Sequence, residues 1–160
     1  MIQRIQSVFL LLLAIAMITF LFVPIWSKTD PASGNTAELT AFALNQTATE
    51  AGQTAGASTS TIAIGILAII AAAVAIYEIF QYKNRLTQMK LGMLNTLILA
   101  ATLGATVYYA YYVGEEMIAG APGEREAGFY MPFLALVLNA FANRFIRRDE
   151  QLVRSVDRLR

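Results

Sequence analysis

Four long apolar runs, each broken off by a polar stretch, organise the chain: residues 7–25, 61–80, 91–113 and 129–146. Each is roughly 18–23 residues long, enough to cross a hydrocarbon layer about 30 Å thick as a helix. The runs are continuous rather than alternating. In lipid only helices and closed barrels satisfy their own backbone, so the pattern predicts helices. Pro24 falls at the end of the first run and Pro132 in the first turn of the fourth, positions that tolerate a missing N–H. Between the first two runs, residues 27–60 are rich in Ser, Thr, Ala, Gly and Gln. So few large apolar residues bury little surface, and the segment is expected to be mobile or loosely packed, anchored at most by Phe42 and Leu44. Residues 114–128, with Gly120, Pro122, Gly123 and Gly128, read as a turn region.

The expectation is therefore an all-α fold. It is an antiparallel four-transmembrane-helix bundle forming a single membrane domain over 1–160. Its outer loops are 27–60 and 114–128, its inner loop 81–90, and its tail, 147–160, a C-terminal amphipathic cytoplasmic helix. Composition agrees: 57% of residues are hydrophobic and 14% charged, against about 45–50% and about 25% in soluble domains. Arg4 precedes the first run as in a signal peptide. The run is longer than a usual signal core, and no small-residue cleavage pattern follows at Pro24, Ile25, Trp26 and Ser27, so retention is expected.

Charge gives orientation. Of the 12 Lys and Arg residues, only Lys28 and Arg125 fall on one side of the predicted helices. Arg4, Lys83, Arg85, Lys90 and every arginine from Arg144 to Arg160 fall on the other. With short loops the basic side is cytoplasmic. A multi-pass protein of the bacterial inner membrane results, both chain ends inside. Trp26, Tyr108, Tyr109, Tyr111, Tyr112, Phe129 and Tyr130 are placed at the outer headgroup level, and Tyr77 and Tyr82 at the inner one.

The chain has no Cys and no His. That removes disulfides, thiol chemistry, imidazole bases and thiolate or imidazole metal sites. No phosphate-binding loop or nucleophile elbow occurs. No cofactor and no catalytic residue is expected, and Glu115 and Glu116 read as an exposed acidic loop.

Glu78 is the one acidic residue within a predicted span, and ionisable residues there default to a functional reading. It lies close to the inner end, so an interfacial position or an ion pair with Arg144 or Arg147 is the plainer expectation. Asn95, Asn139 and Asn143 lie in the same half. With Glu78 and Arg144 they are grouped as one inner-leaflet polar cluster, either interhelical glue or a ligand site. Small residues four apart, Gly65, Ala68, Ala72 and Ala75, then Ala100, Gly104, Ala101 and Ala105, are expected to bring the second and third helices close. In the tail, Phe145, Ile146, Leu152, Val153, Val156 and Leu159 recur at helical spacing, and Glu150 precedes Arg154 by four residues. Arg148, Arg154, Asp157 and Arg158 are the candidates for docking a partner or anionic lipid. No stacking aromatic interleaves these arginines, and no nucleic-acid partner is expected.

Three stretches, MIQRIQSVFLLLLAIAM, IFQYKNRLTQMKLGMLN and NRFIRRDEQLVRSVDRLR, together resemble the domain of unknown function 4293 family of small bacterial integral membrane proteins. The resemblance covers nearly the whole chain and implies four transmembrane helices. It carries no activity, cofactor or site residue across. The functional expectation is a non-enzymatic accessory or assembly subunit of a larger inner-membrane complex, its partners being lipid, other membrane proteins or further copies of itself. The alternative is a small proton- or cation-coupled transporter or channel that uses Glu78.

Overall fold

The structure, a computed structural model, describes residues 2–31, 34–50, 53–82, 84–118 and 122–157. Lys83, Gly120, Arg158, Leu159 and Arg160 lie outside them, and the side chains of Arg4, Val153, Arg154, Val156 and Asp157 are likewise not described. The elements in order are α1 (Ile2–Phe20), β1 (Trp26–Thr29), β2 (Thr36–Leu39), β3 (Ala43–Glu50), β4 (Gln53–Ser60), α2 (Ile62–Phe80) and α3 (Arg85–Tyr108). A π-helical stretch (Tyr109–Gly114) and one last turn, α4 (Glu115–Met117), extend α3. A short β5 (Glu124–Arg125) and the long α5 (Ala127–Asp157) complete the chain.

The all-α expectation is wrong. Four long helices carry at one end a five-stranded antiparallel sheet of order β4-β3-β2-β1-β5, so the fold is mixed α and β. The segment expected to be loose supplies four of the strands. Its hydrophobicity is low because strands need only one buried face, and alternation provides it. In β1, Trp26 and Lys28 are buried; in β2, Ala37 and Leu39 are, while Thr36 and Glu38 face out. The register places Leu39 opposite both Trp26 and Leu44, so the inner face is one apolar patch. Phe42 and Leu44 do anchor the segment. Leu44 is fully buried, and the Phe42 ring lies where a Cβ on Gly65 of α2 would stand. Gly34 holds φ at 72°, a conformation glycine adopts without strain, in the turn closed by Gly34 N–H to Asp30 O.

α1 ends five residues before the first apolar run does. The Leu21 and Phe22 amides bond to carbonyls three residues back, at 3.1 and 3.0 Å, and tighten its last turn. Pro24 thus lies past the helix and not at its end. The residues released, Pro24 to Trp26, tie the sheet to the helices. Ile25 N–H donates to Leu39 O at 2.8 Å, Glu126 N–H to Ile25 O at 3.1 Å, and Gly128 N–H to Pro24 O at 3.0 Å. The Trp26 indole is buried in a socket floored by Gly114 and Gly123, where added Cβ atoms would overlap the ring. It is a core residue and not a headgroup anchor.

The four long helices pack side by side in the cycle α1, α2, α3, α5, with α5 returning to α1. One apolar core runs from Leu13, Met17 and Phe20 through Ile64, Ala68 and Leu99 into the sheet. The small residues of α2, Gly65, Ala68, Ala72 and Ala75, are buried as expected. Those of α3 are not: Ala100, Ala101 and Gly104 are exposed, and nothing lies within 4 Å of a Cβ on Gly104. α3 instead buries Gln88, Gly92, Asn95, Leu99, Thr102 and Thr106. Among the described residues, three helices, Ile62–Phe80, Arg85–Gly114 and Ala127–Leu152, are long and apolar enough to cross a membrane by length and composition; Ile5–Phe20 is a shorter apolar helix.

Candidate functional site: a polar layer at the end away from the sheet

The buried positions of α3 recur at spacings of four and three, which puts them on one stripe of the helix. The stripe carries polar residues on both sides of Leu99, and its halves differ. Toward the sheet, the Thr102 hydroxyl donates to Ile98 O and the Thr106 hydroxyl to Thr102 O, both at 2.8 Å. These groups are satisfied within their own helix. Toward the far end, Gln88 and Gly92 meet polar groups from the three other long helices.

Asn84 begins α3, its side chain accepting from Thr87 N–H at 3.3 Å as an N-cap. One turn on, Gln88 Nε2 donates to the backbone carbonyl of Glu78 in α2 at 3.2 Å, and Gln88 Oε1 accepts from Gln6 Nε2 in α1 at 3.4 Å. From α5, Asn139 Nδ2 donates to Gly92 O and to Thr96 Oγ1, both at 2.9 Å. Asn143 packs over Gly92 so closely that a Cβ there would overlap its amide. Glu78, Asn95, Gln6, Gln88 and Asn139 are all buried. Among these, both Glu78 carboxylate oxygens, both Asn95 amide atoms, Gln6 Oε1 and Asn139 Oδ1 have no hydrogen-bond partner.

Of the residues grouped from the sequence, Asn139 and Asn143 meet Gly92 on the stripe of α3 that also carries Asn95, and Glu78 meets it through its backbone carbonyl, bonded by Gln88; Arg144 stands apart. Arg144 is exposed and lines a groove of about 640 Å³ with Ala140, Asn143, Arg147, Arg148 and Gln151. Glu78 is not paired with Arg144 or Arg147; it is fully buried among the helices. Gln6, Gln88 and Gly92 went unnoticed in the sequence. The signal for Gln88 and Gly92 was the spacing Gln88, Gly92, Asn95, Leu99, which marks one helix face whatever the residue type.

The far end of α5 is a second candidate. The helix runs unbroken from Ala127 to Asp157, so the tail is helical, as its periodicity predicts. Asp149 is drawn aside: Arg85 Nη2 lies 3.1 Å from its carboxylate, and Nη1 donates to its carbonyl at 3.1 Å. Arg148 is exposed in the groove. Arg154 and Asp157 lie on the same helix, and Arg158 falls outside the described residues.

At the sheet end, Lys28 and Glu115 form a clamp that reading 114–128 as a turn region missed. Lys28 Nζ lies 2.8 Å from Glu115 Oε2 and donates to Glu115 O at 3.2 Å, while Gly123 N–H donates to Glu115 Oε1 at 3.3 Å. The Lys28 hydrogen bond holds the Glu115 carboxyl below its ordinary value of 4.5, partly opposed by burial. Nearby, the Arg125 guanidinium lies over the rings of Tyr111, at 5.6 Å, and Phe129, at 5.9 Å.

Together these features define a helical protein with a welded sheet at one end, polar side chains in its far core and a basic helix beyond. The chain belongs to the domain of unknown function (DUF4293) family, which it matches over residues 2–159. It matches no curated protein.

Proposed function

We propose that the protein is a non-enzymatic accessory or assembly subunit of a larger bacterial inner-membrane complex, docking through the basic far end of α5. The sheet lies outside and both chain ends lie in the cytoplasm. The observation that carries this reading is the continuity of α5 beyond its apolar part. One helix presents Arg144, Arg147 and Arg148 around a groove, and its neighbour Asp149 is turned toward α3. A rigid basic helix that extends an apolar segment suits an acidic partner surface at the headgroup level. Membrane residence is supported by the apolar side chains exposed along the helices, such as Leu11, Ile15, Ile66, Leu97 and Phe133. A surface of that kind belongs in lipid or against protein. Orientation is supported by the placement of the basic residues.

The test is purification of the tagged protein from its native membranes in mild detergent, followed by mass spectrometry. Recovery of a large membrane complex in stoichiometric amount, lost when Arg144 and Arg148 are changed to Glu, is the expected result. A lone chain or homo-oligomer, or a complex indifferent to the charge reversal, refutes the reading.

A further inference from the structure

We propose that β4 is an interface between two copies of this chain, whose β4 edges pair antiparallel about a two-fold axis along the membrane normal. The pairing is separate from the docking role of α5, and a larger complex would hold the chain in two copies.

The two edges of the sheet differ. The order β4-β3-β2-β1-β5 leaves β4 and β5 outermost. β5 has two residues, Glu124 and Arg125, both charged. A short, charged edge is a poor template for a further strand. β4 has eight residues, QTAGASTS, with no charge and no proline. Its register with β3 runs unbroken from Ala43↔Ser60 to Glu50↔Gln53, so no bulge twists it away. Every residue from Gly56 to Ser60 is exposed, so neither face of that stretch lies on the helices.

Which backbone groups are open follows from the ladder. Thr61 N–H donates to Phe42 O at 3.0 Å, in the register that continues Ala43↔Ser60. In an antiparallel pair the N–H and C=O of one residue point the same way, and those of the next residue point the opposite way. Thr59, Ala57, Ala55 and Gln53 therefore bond β3, while Ser60, Ser58, Gly56 and Thr54 turn their groups outward. Among the described residues no strand takes these groups up.

Charge and symmetry select a second copy. Like charges facing each other across a strand pair are destabilising, and this strand meets its own copy with none. The buried face of the sheet is turned toward the helix ends. Phe42 sits over Gly65 in the first turn of α2, and Trp26 over Gly114 at the end of the α3 extension. The direction perpendicular to the sheet thus runs along the bundle. Two like strands pair antiparallel about a two-fold perpendicular to their sheet. Two copies inserted the same way in one membrane are related by a two-fold along its normal. The two axes coincide, so a second copy reaches β4 without leaving the membrane. Full overlap of the outward residues in 54–60 pairs Gly56 with Ser58 of the partner subunit. It sets Ala57 opposite Ala57 of the partner subunit on the axis, with Cα atoms about 4.5 Å apart.

The chain has no cysteine, so single-cysteine variants of the full chain in its native membranes read the pairing under mild oxidation. Ala57→Cys should join two copies, because about 4.5 Å lies within the disulfide range of about 4.4–6.8 Å. Ser58→Cys should stay unjoined, since residues 58 of the two copies lie on a diagonal about 7–8 Å apart. Gly56→Pro removes an outward N–H and no bond to β3. Added to Ala57→Cys, it should cut the joined fraction about tenfold or more, proline being tolerated on an edge strand. The fluorescence melt of Trp26, the single tryptophan, should not fall in that variant. If it does fall, the contrast between Ala57→Cys and Ser58→Cys decides alone. No joining at position 57, equal joining at 57 and 58, or joining untouched in a folded Gly56→Pro variant overturns the inference. So does a bond from position 57 to a different protein, the edge then belonging to another partner.

Discussion

Removing either partner of the Lys28–Glu115 clamp destabilises the sheet end, and the structure predicts that the two losses are unequal. The Lys28 side chain is 3% exposed and that of Glu115 is 35% exposed. Glu115→Ala therefore strands a buried ammonium whose remaining partner is the residue 115 carbonyl, at 3.2 Å. Breaking a buried pair in this way costs about 3–5 kcal/mol. Lys28→Met leaves Glu115 able to take water and keep the Gly123 N–H. That loss is of the order of one hydrogen bond to a charged group, about 1–3 kcal/mol. The double variant leaves no buried charge and should recover most of what Glu115→Ala loses. For a chain of this size each kcal/mol moves the melting temperature by roughly 2–4 °C, so Glu115→Ala should lower it by on the order of 10 °C. Trp26 fluorescence is the assay, because the indole lies against Gly123, whose amide bonds Glu115. Acid titration adds a sign. The folded-state value of Glu115 lies below 4.5, so the clamp's contribution is full above that pH and is lost as pH falls through the lowered value. Partial exposure screens its size, so the direction is the prediction. Lys28→Met costing as much as Glu115→Ala, or strictly additive losses in the double variant, would refute the reasoning.

Two glycines should behave oppositely. A Cβ on Gly128 would come within 2.5 Å of the Pro24 carbonyl oxygen, a backbone atom, whereas one on Gly104 meets nothing within 4 Å. Gly128→Ala should cost about 1–3 kcal/mol by overpacking, and Gly104→Ala should be neutral or stabilising by up to about 1 kcal/mol; melts of the two variants check this, and a destabilised Gly104→Ala would contradict the open surface there. Because the chain has no cysteine, single-cysteine variants can report orientation. Ser58→Cys in β4 should react with an impermeant maleimide on intact spheroplasts and Gln151→Cys in α5 only after lysis. The reverse pattern would invert the proposed topology.

Much of the helical part is legible from the chain alone, because an apolar run is a local property. The second run, 61–80, coincides with Ile62–Phe80, and the periodicity past Arg144 anticipates the single helix that reaches Asp157. The family resemblance was legible too. The sheet was not, since composition hid what alternation carried. Trp26 and Lys28, then Ala37 and Leu39, are one-sided patterns only four residues long, and they become strands when β1, β2 and β3 satisfy one another's backbones and cover the helix ends.

The polar layer divides in the same way. Glu78, Asn95, Asn139 and Asn143 stood out because polar groups are costly in an apolar run, a cost fixed by residue type. Gln6 and Gln88 lie near run ends, where glutamine costs little. Their burial, and the exclusion of Arg144, depend on how four helices face one another. Lys28 is the sharpest case. Sequence alone grouped it with Arg125, apart from the other basic residues, because charge counts by loop need no contacts, and the two lie on paired strands, β1 and β5. Only the tertiary structure could bury it against Glu115, because the two are far apart in the chain and meet only when β1 crosses the end of α3.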